Sequence, residues 1–161
     1  MKGFRNMNEE IKKINLTAEQ IDNLVGKIDN KIAILNMKET MAVSELLGYN
    51  LPIDYCTFYS KQLTLHIKPN LFKVNNVEKI IRYLFSMDKD NKNYIMKFQY
   101  LDSQYNEKIV PFAELEFGDL LCFNKEDDTI VYYDHEQDKI ATLAKNWTDF
   151  RATLYEEDFN E

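Results

Sequence analysis

The first clear pattern along the chain is an apolar stripe. Ile21, Leu24, Val25 and Ile28 recur at helical spacing, and Ile32 and Leu35 continue the stripe. Thr17 and Gln20 stand three residues apart just ahead of it, so a capped helix is expected from Thr17. Gly26 weakens that helix only modestly. Met41, Val43, Leu46 and Leu47 predict a second helix over residues 39–47, stopped by Gly48. Pro52 then suits a first helical position. Behind it, Ile53, Tyr55, Cys56, Phe58 and Tyr59 predict a short aromatic helix, its rings read first as core. Residues 1–16 are polar and mixed in charge and read as a frayed lead-in.

Beyond this point the period shortens. Residues 63–67 alternate and predict a strand with His66 on its polar face, closed by Pro69-Asn70. Residues 71–86 fit either a helix or a buried strand, and the reading taken is a strand over 80–86. Residues 88–93 form a turn, and Ile95, Phe98 and Leu101 suggest a short helix. An apolar lead with a proline, residues 109–113, runs through an acidic link to Gly118-Asp119. Three β-prone runs follow, 120–123, 129–134 and 139–144, separated by polar turns. They predict an antiparallel meander at the centre of a sheet. Asn146 can cap a last helix over 147–154, with Trp147, Phe150 and Leu154 on one face. The acidic residues 155–161 are expected to be mobile.

Composition narrows the class. With 161 residues and 45% hydrophobic content, the chain is expected to fold as one domain, 1–161. No run is long and apolar enough to cross a bilayer, and the first residues lack the apolar core of a secretory signal. A cytoplasmic location is therefore expected, with Cys56 and Cys122 as reduced, buried thiols. The charge is uneven: residues 1–101 carry 15 Lys and Arg against 11 Asp and Glu, and residues 102–161 carry 5 against 16. An acidic half rich in aromatics disfavours nucleic acid and favours a basic partner.

Candidate chemistry is sparse. His66 and His135 have no His or Cys neighbour at metal-ligand spacing, and there is no Gly-rich phosphate loop. No nucleophile–base pair stands out, so an enzyme is not expected, nor a cofactor or metal.

Two segments together resemble the SUKH superfamily, which includes the yeast Smi/Knr cell-wall regulator and many bacterial immunity proteins. The first holds Glu45, Leu47-Gly48 and Leu51-Pro52, followed by the aromatic helix with Tyr55 and Phe58. The second holds Pro111-Phe112-Ala113, Gly118-Asp119, Leu121-Cys122-Phe123 and Val131-Tyr132-Tyr133-Asp134, and Trp147 and Phe150 close it. The resemblance spans about residues 40–154. One departure is that Ser60-Lys61-Gln62 stand where the family often has Asn-Gly. The motif residues also read as fold determinants: Gly48 for positive φ, Pro52 for a helix start, Pro111 and Phe112 to steer and anchor the chain, and Gly118 and Asp119 for a pinned turn.

The resemblance implies an α+β, Smi/Knr-like fold, a mostly antiparallel sheet with N-terminal helices and a C-terminal helix. It implies an immunity protein that neutralises a cognate toxin domain, often a nuclease, without membrane or direct nucleic-acid contact, as a monomer or weak dimer. From charge alone, the candidate partner contacts are Glu114, Glu116, Asp119, Glu126, Asp127, Asp128, Asp134, Glu136 and Asp138. The alternative is a regulatory module docking a peptide or small ligand near Tyr55, Phe58, Tyr59 and Trp147.

Overall fold

A computed structural model describes residues 17–157, so the expected lead-in over 1–16 lies outside the described residues. The capping box at Thr17 is present: its Oγ1 accepts from Gln20 N, and Gln20 Oε1 accepts from Thr17 N. From there one helix, α1, runs over Ala18–Leu47. The two helices expected here are one, because residues 36–38 hold no breaker and Gly26 alone is insufficient to interrupt it. Gly48 ends α1 at φ 62°, and its N–H is donated to Glu45 O and Ser44 O.

Helix α2, Ile53–Ser60, starts after Pro52 and buries Tyr55, Cys56 and Tyr59. The strand expected over 63–67 is absent. His66 N instead donates to Thr64 Oγ1, a local bond that competes with ladder pairing, and Leu63 stays exposed. The ambiguous stretch resolves into a hairpin, β1 (Leu71–Val74) and β2 (Val77–Leu84). Asn75 and Asn76 both take positive φ, 50° and 64°, the conformation that a two-residue hairpin turn requires. Only Ile95–Phe98 of the next expected helix forms, as a 3₁₀ turn.

The proline-containing lead is itself strand β3, Ile109–Leu115. Six of its seven residues are buried, as suits a continuous apolar run covered on both faces. Pro111 is tolerated beside a register shift between Pro111 and Ala113. The meander follows as β4 (Leu120–Asn124), β5 (Ile130–Asp134) and β6 (Lys139–Ala144). The sheet is antiparallel in the order β1-β2-β3-β4-β5-β6. The meander therefore fills one side of the sheet, with β6 at its edge and β3 and β4 in the middle. Helix α3, Trp147–Ala152, is capped by Asn146 as expected. Of the tail expected to be mobile, residues 158–161 lie outside the described residues, and Tyr155 is held in place: it bridges Leu71, and its hydroxyl donates to Glu78.

α2 and α3 cover the sheet through aromatic contacts. The Tyr55 ring lies 5.0 Å from Phe112, 5.2 Å from Phe123 and 5.0 Å from Trp147. Cys56 and Cys122 are buried free thiols, and burial pushes the Cys56 thiol up to about 11. No helix among the described residues is long and apolar enough to cross a membrane.

Tyr55 itself carries an anomaly. It is fully buried, and its hydroxyl has no hydrogen-bond partner among the described residues. An orphaned buried hydroxyl costs about 1–3 kcal/mol. Tyr55→Phe is therefore expected to raise stability by about 1 kcal/mol, read as a higher urea midpoint at unchanged slope.

Candidate functional surface

Strand order separates the nine candidate carboxylates. Glu114, Glu116 and Asp119 sit at the β3–β4 connection, and Asp134, Glu136 and Asp138 at the β5–β6 turn. In an antiparallel meander these two connections share one end. Glu126, Asp127 and Asp128 occupy the β4–β5 turn at the opposite end, about 16 Å away along β4. The nine do not share one surface.

Several carboxylates are already engaged. Asp128 accepts from the Tyr49 hydroxyl, and Asp127 from Thr129 N and Oγ1. Asp138 accepts from Ser103 Oγ, Tyr133 Oη and Gln104. Asp134 caps its own turn, accepting from Glu136 N and Gln137 N. Glu114 pairs with Arg82 Nη1 at 3.0 Å. Glu116 and Glu136 remain exposed. Six carboxylates thus stand at this end, with Lys79, Arg82 and Lys139 on the adjoining strands.

Asp119 ties the end together. It accepts from the Tyr132 hydroxyl, from His135 N at 3.1 Å and from His135 Nδ1 at 2.7 Å. It was expected to pin its own turn, but the backbone bond it takes belongs to the neighbouring β5–β6 turn. Burial alone would raise the Asp119 carboxyl; the hydrogen bonds from Tyr132 and His135 outweigh it and hold the carboxyl below its ordinary range. Asp127 and Asp138 are held low as well, by Thr129 and by Ser103.

A folded-state pKa below the unfolded value stabilises the protein above the unfolded pKa of about 4. That stability disappears as pH falls through the folded value. The thermal midpoint is expected to drop steeply below about pH 4, and less steeply in Asp119→Asn, which starts lower at neutral pH. Equal acid slopes in the two proteins would contradict the role assigned to Asp119.

The connection before Asp119 is tight. Leu115 N donates to Asp119 O at 2.9 Å, closing a loop over Glu116-Phe117-Gly118. Phe117 and Gly118 both take positive φ, 67° and 88°. A Cβ on Gly118 would stand 3.3 Å from His135 Cε1. Gly118→Ala is expected to cost about 1–2 kcal/mol in a urea melt, since it strains the backbone and presses on the ring that Asp119 holds. Phe117 is 89% exposed, on the loop between Glu116 and Asp119. An aromatic residue in the left-handed region is an outlier, and nothing in the hydrophobic pattern marks it as exposed.

The sequence matches the model of the SMI1 / KNR4 family (SUKH-1) over residues 37–153. The chain belongs to that family. Comparisons with curated proteins and with solved structures give no significant match. The SUKH-1 match covers α2, the whole sheet and α3, so the motif residues can be placed. Gly48 and Pro52 end α1 and start α2. Phe112, Phe123, Tyr55 and Trp147 form the aromatic centre. Gly118 and Asp119 form the loop just described. Glu45 is exposed, and its carbonyl accepts from Gly48 N.

Lys61 and Gln62, just after α2, border a cleft of about 260 Å³. Asp54, Phe58, Lys61, Trp147, Thr148 and Arg151 help line it. Arg151 lies over the Phe58 ring at 4.3 Å. Of the four aromatics suggested for a groove, Phe58 and Trp147 reach this cleft, whereas Tyr55 and Tyr59 are spent in the core. Among the described residues no group of three or more His, Cys, Asp or Glu could hold a metal ion.

Proposed function

We propose that the protein is a non-catalytic bacterial immunity protein that acts in the cytoplasm. It binds a cognate secreted toxin domain, a nuclease, and blocks the cleft that would hold phosphates. The observation that carries this reading is the end of the sheet around Phe117. An exposed ring in a strained conformation stands at the end of the sheet that also carries Glu114, Glu116, Asp134 and Glu136, on a chain of the SUKH-1 family. Strain kept at an exposed aromatic has no folding benefit and fits a binding anchor. The carboxylates mimic phosphates, speed encounter with a basic cleft and repel wrong partners. Glu126, Asp127 and Asp128 lie outside this surface and contribute only to the long-range field.

The experiment is a pull-down of the tagged protein against toxin C-terminal domains encoded in the same genome, followed by a toxicity assay. A tight, salt-sensitive complex that abolishes toxicity supports the reading. Binding to none of them contradicts it. A gene lying directly downstream of a large toxin gene with a variable 3′ end would agree with the former.

The cleft at Trp147 favours a second reading, a regulatory module that docks a peptide or small ligand. Trp147 Nε1 is buried with no hydrogen-bond partner among the described residues. Trp147 is also the only tryptophan, so ligand titration would change its fluorescence directly.

A further inference from the structure

The cleft between α2 and α3 holds more donors than its own protein uses. Asp54 and Phe58 reach it from α2, Lys61 from just after α2, and Trp147, Thr148 and Arg151 from α3. Its one carboxylate is already committed. Asp54 Oδ2 accepts from Thr148 N and Oγ1, both at 3.0 Å, and Oδ1 accepts from Tyr55 N at 2.8 Å. Those bonds clamp α2 to α3 and occupy both oxygens.

The donors are not committed. Trp147 is buried, and its Nε1 has no hydrogen-bond partner among the described residues. Buried donors without a partner are rare in folded proteins, and each calls for a reason. Lys61 and Arg151 are exposed, and neither stands in an ion pair among the described residues. The Arg151 guanidinium lies 4.3 Å over the Phe58 ring. Stacking of this kind fixes the guanidinium plane and leaves its N–H edge to grip a planar anion through two parallel bonds. Two cations and an orphaned indole N–H, against one committed carboxylate, suit a ligand that only accepts. The surplus is local, since the whole chain carries a net charge of −7.

Size and walls narrow the ligand further. A volume of about 260 Å³ is below the usual range for drug-sized ligands, so the occupant is small or is the end of a chain. Phe58 and Trp147 offer ring surface that a bare inorganic anion would leave unused. A carboxylate on a small apolar body uses both the donors and the rings. We infer that this cleft binds a carboxylate, gripped by Arg151, Lys61 and the Trp147 indole N–H, with its apolar part against Phe58. The inference rests on the second reading above, that the cleft takes a ligand, and gives that ligand its chemistry.

The test follows one resonance. Trp147 is the only tryptophan, so the isotope-labelled full chain shows a single indole N–H signal. Titration with benzoate is expected to move that signal downfield and to saturate. Benzamide has the same ring without the charge and is expected to bind at least about tenfold more weakly. Arg151→Gln and Lys61→Gln are each expected to weaken benzoate binding by about tenfold. Both side chains are exposed, so the thermal midpoints of these variants should stay close to that of the wild type.

Equal binding of benzamide and benzoate, or benzoate binding unchanged in both variants, overturns the proposal while leaving the cleft a ligand site. Inorganic phosphate that binds more tightly than benzoate overturns it too. No response to any probe overturns both the proposal and the second reading. N-acetylglycylglycine separates the sources of the carboxylate. Tighter binding than benzoate assigns it to a peptide terminus and weaker binding to a small free acid, and either result supports the proposal.

Discussion

Phe117→Gly is expected to weaken capture of the proposed toxin partner by about 30-fold or more while leaving the fold as stable or slightly more so. Two opposed effects on one residue make this a sharp expectation. Phe117 sits at φ 67° with 89% of its surface exposed. A non-glycine residue in the left-handed region costs about 1–2 kcal/mol, and glycine removes that cost. The greater freedom of glycine in the unfolded chain takes back about 0.5–1 kcal/mol. Little packing is lost, because the ring touches little of its own protein. The net change is a gain of up to about 1 kcal/mol, or a midpoint higher by about 2–4 °C. On the proposed function, binding loses its aromatic anchor. Calorimetry of the free protein and titration with the partner read the two effects separately. A variant that binds normally would remove Phe117 from the interface.

Phe112→Ala is expected to have the largest effect on stability, a loss of about 3–5 kcal/mol. Phe112 is fully buried in β3, stacked on Phe123 at 4.2 Å with Tyr55 edge-on at 5.0 Å and Trp147 at 5.8 Å. It is the ring through which the sheet meets both covering helices. No neighbour can fill the space without leaving its own contacts, so the cavity stays open. Against a total of about 5–15 kcal/mol, the loss removes a large share of the stability of the fold. A urea midpoint that moved by less than one third of that expected for 3 kcal/mol would show that the core can rearrange there.

The most legible parts of the fold were those with strong local punctuation. Thr17, Gly48, Pro52 and Asn146 each mark a helix end by its own chemistry, and all four stand at or next to one. The meander was equally plain, since three β-prone runs are separated by turns rich in Asn and Asp. Residues 71–86 were not, because their apolar spacing fits two periods and the deciding signal is the Asn75-Asn76 pair at positive φ. Residues 63–67 alternate like a strand, but the Thr64 hydroxyl takes the backbone of His66.

For the surface, the sequence marked acidity but not address. Glu126, Asp127 and Asp128 are close in sequence to Asp119 and Asp134, yet one strand length separates them in space. The role of His135 depends on Asp119, sixteen residues away across two strands. The outward turn of Phe117 follows from backbone geometry that no hydrophobic pattern encodes.

The most direct measurement is the association rate of the protein with the proposed toxin domain as a function of ionic strength. On the proposed function, the carboxylates at this end of the sheet act by steering, which salt screens over about 10 Å at 0.1 M. The expected result is a rate that falls by about tenfold or more between low and high salt, with dissociation changing far less. An association rate that ignores ionic strength would contradict the electrostatic account of capture.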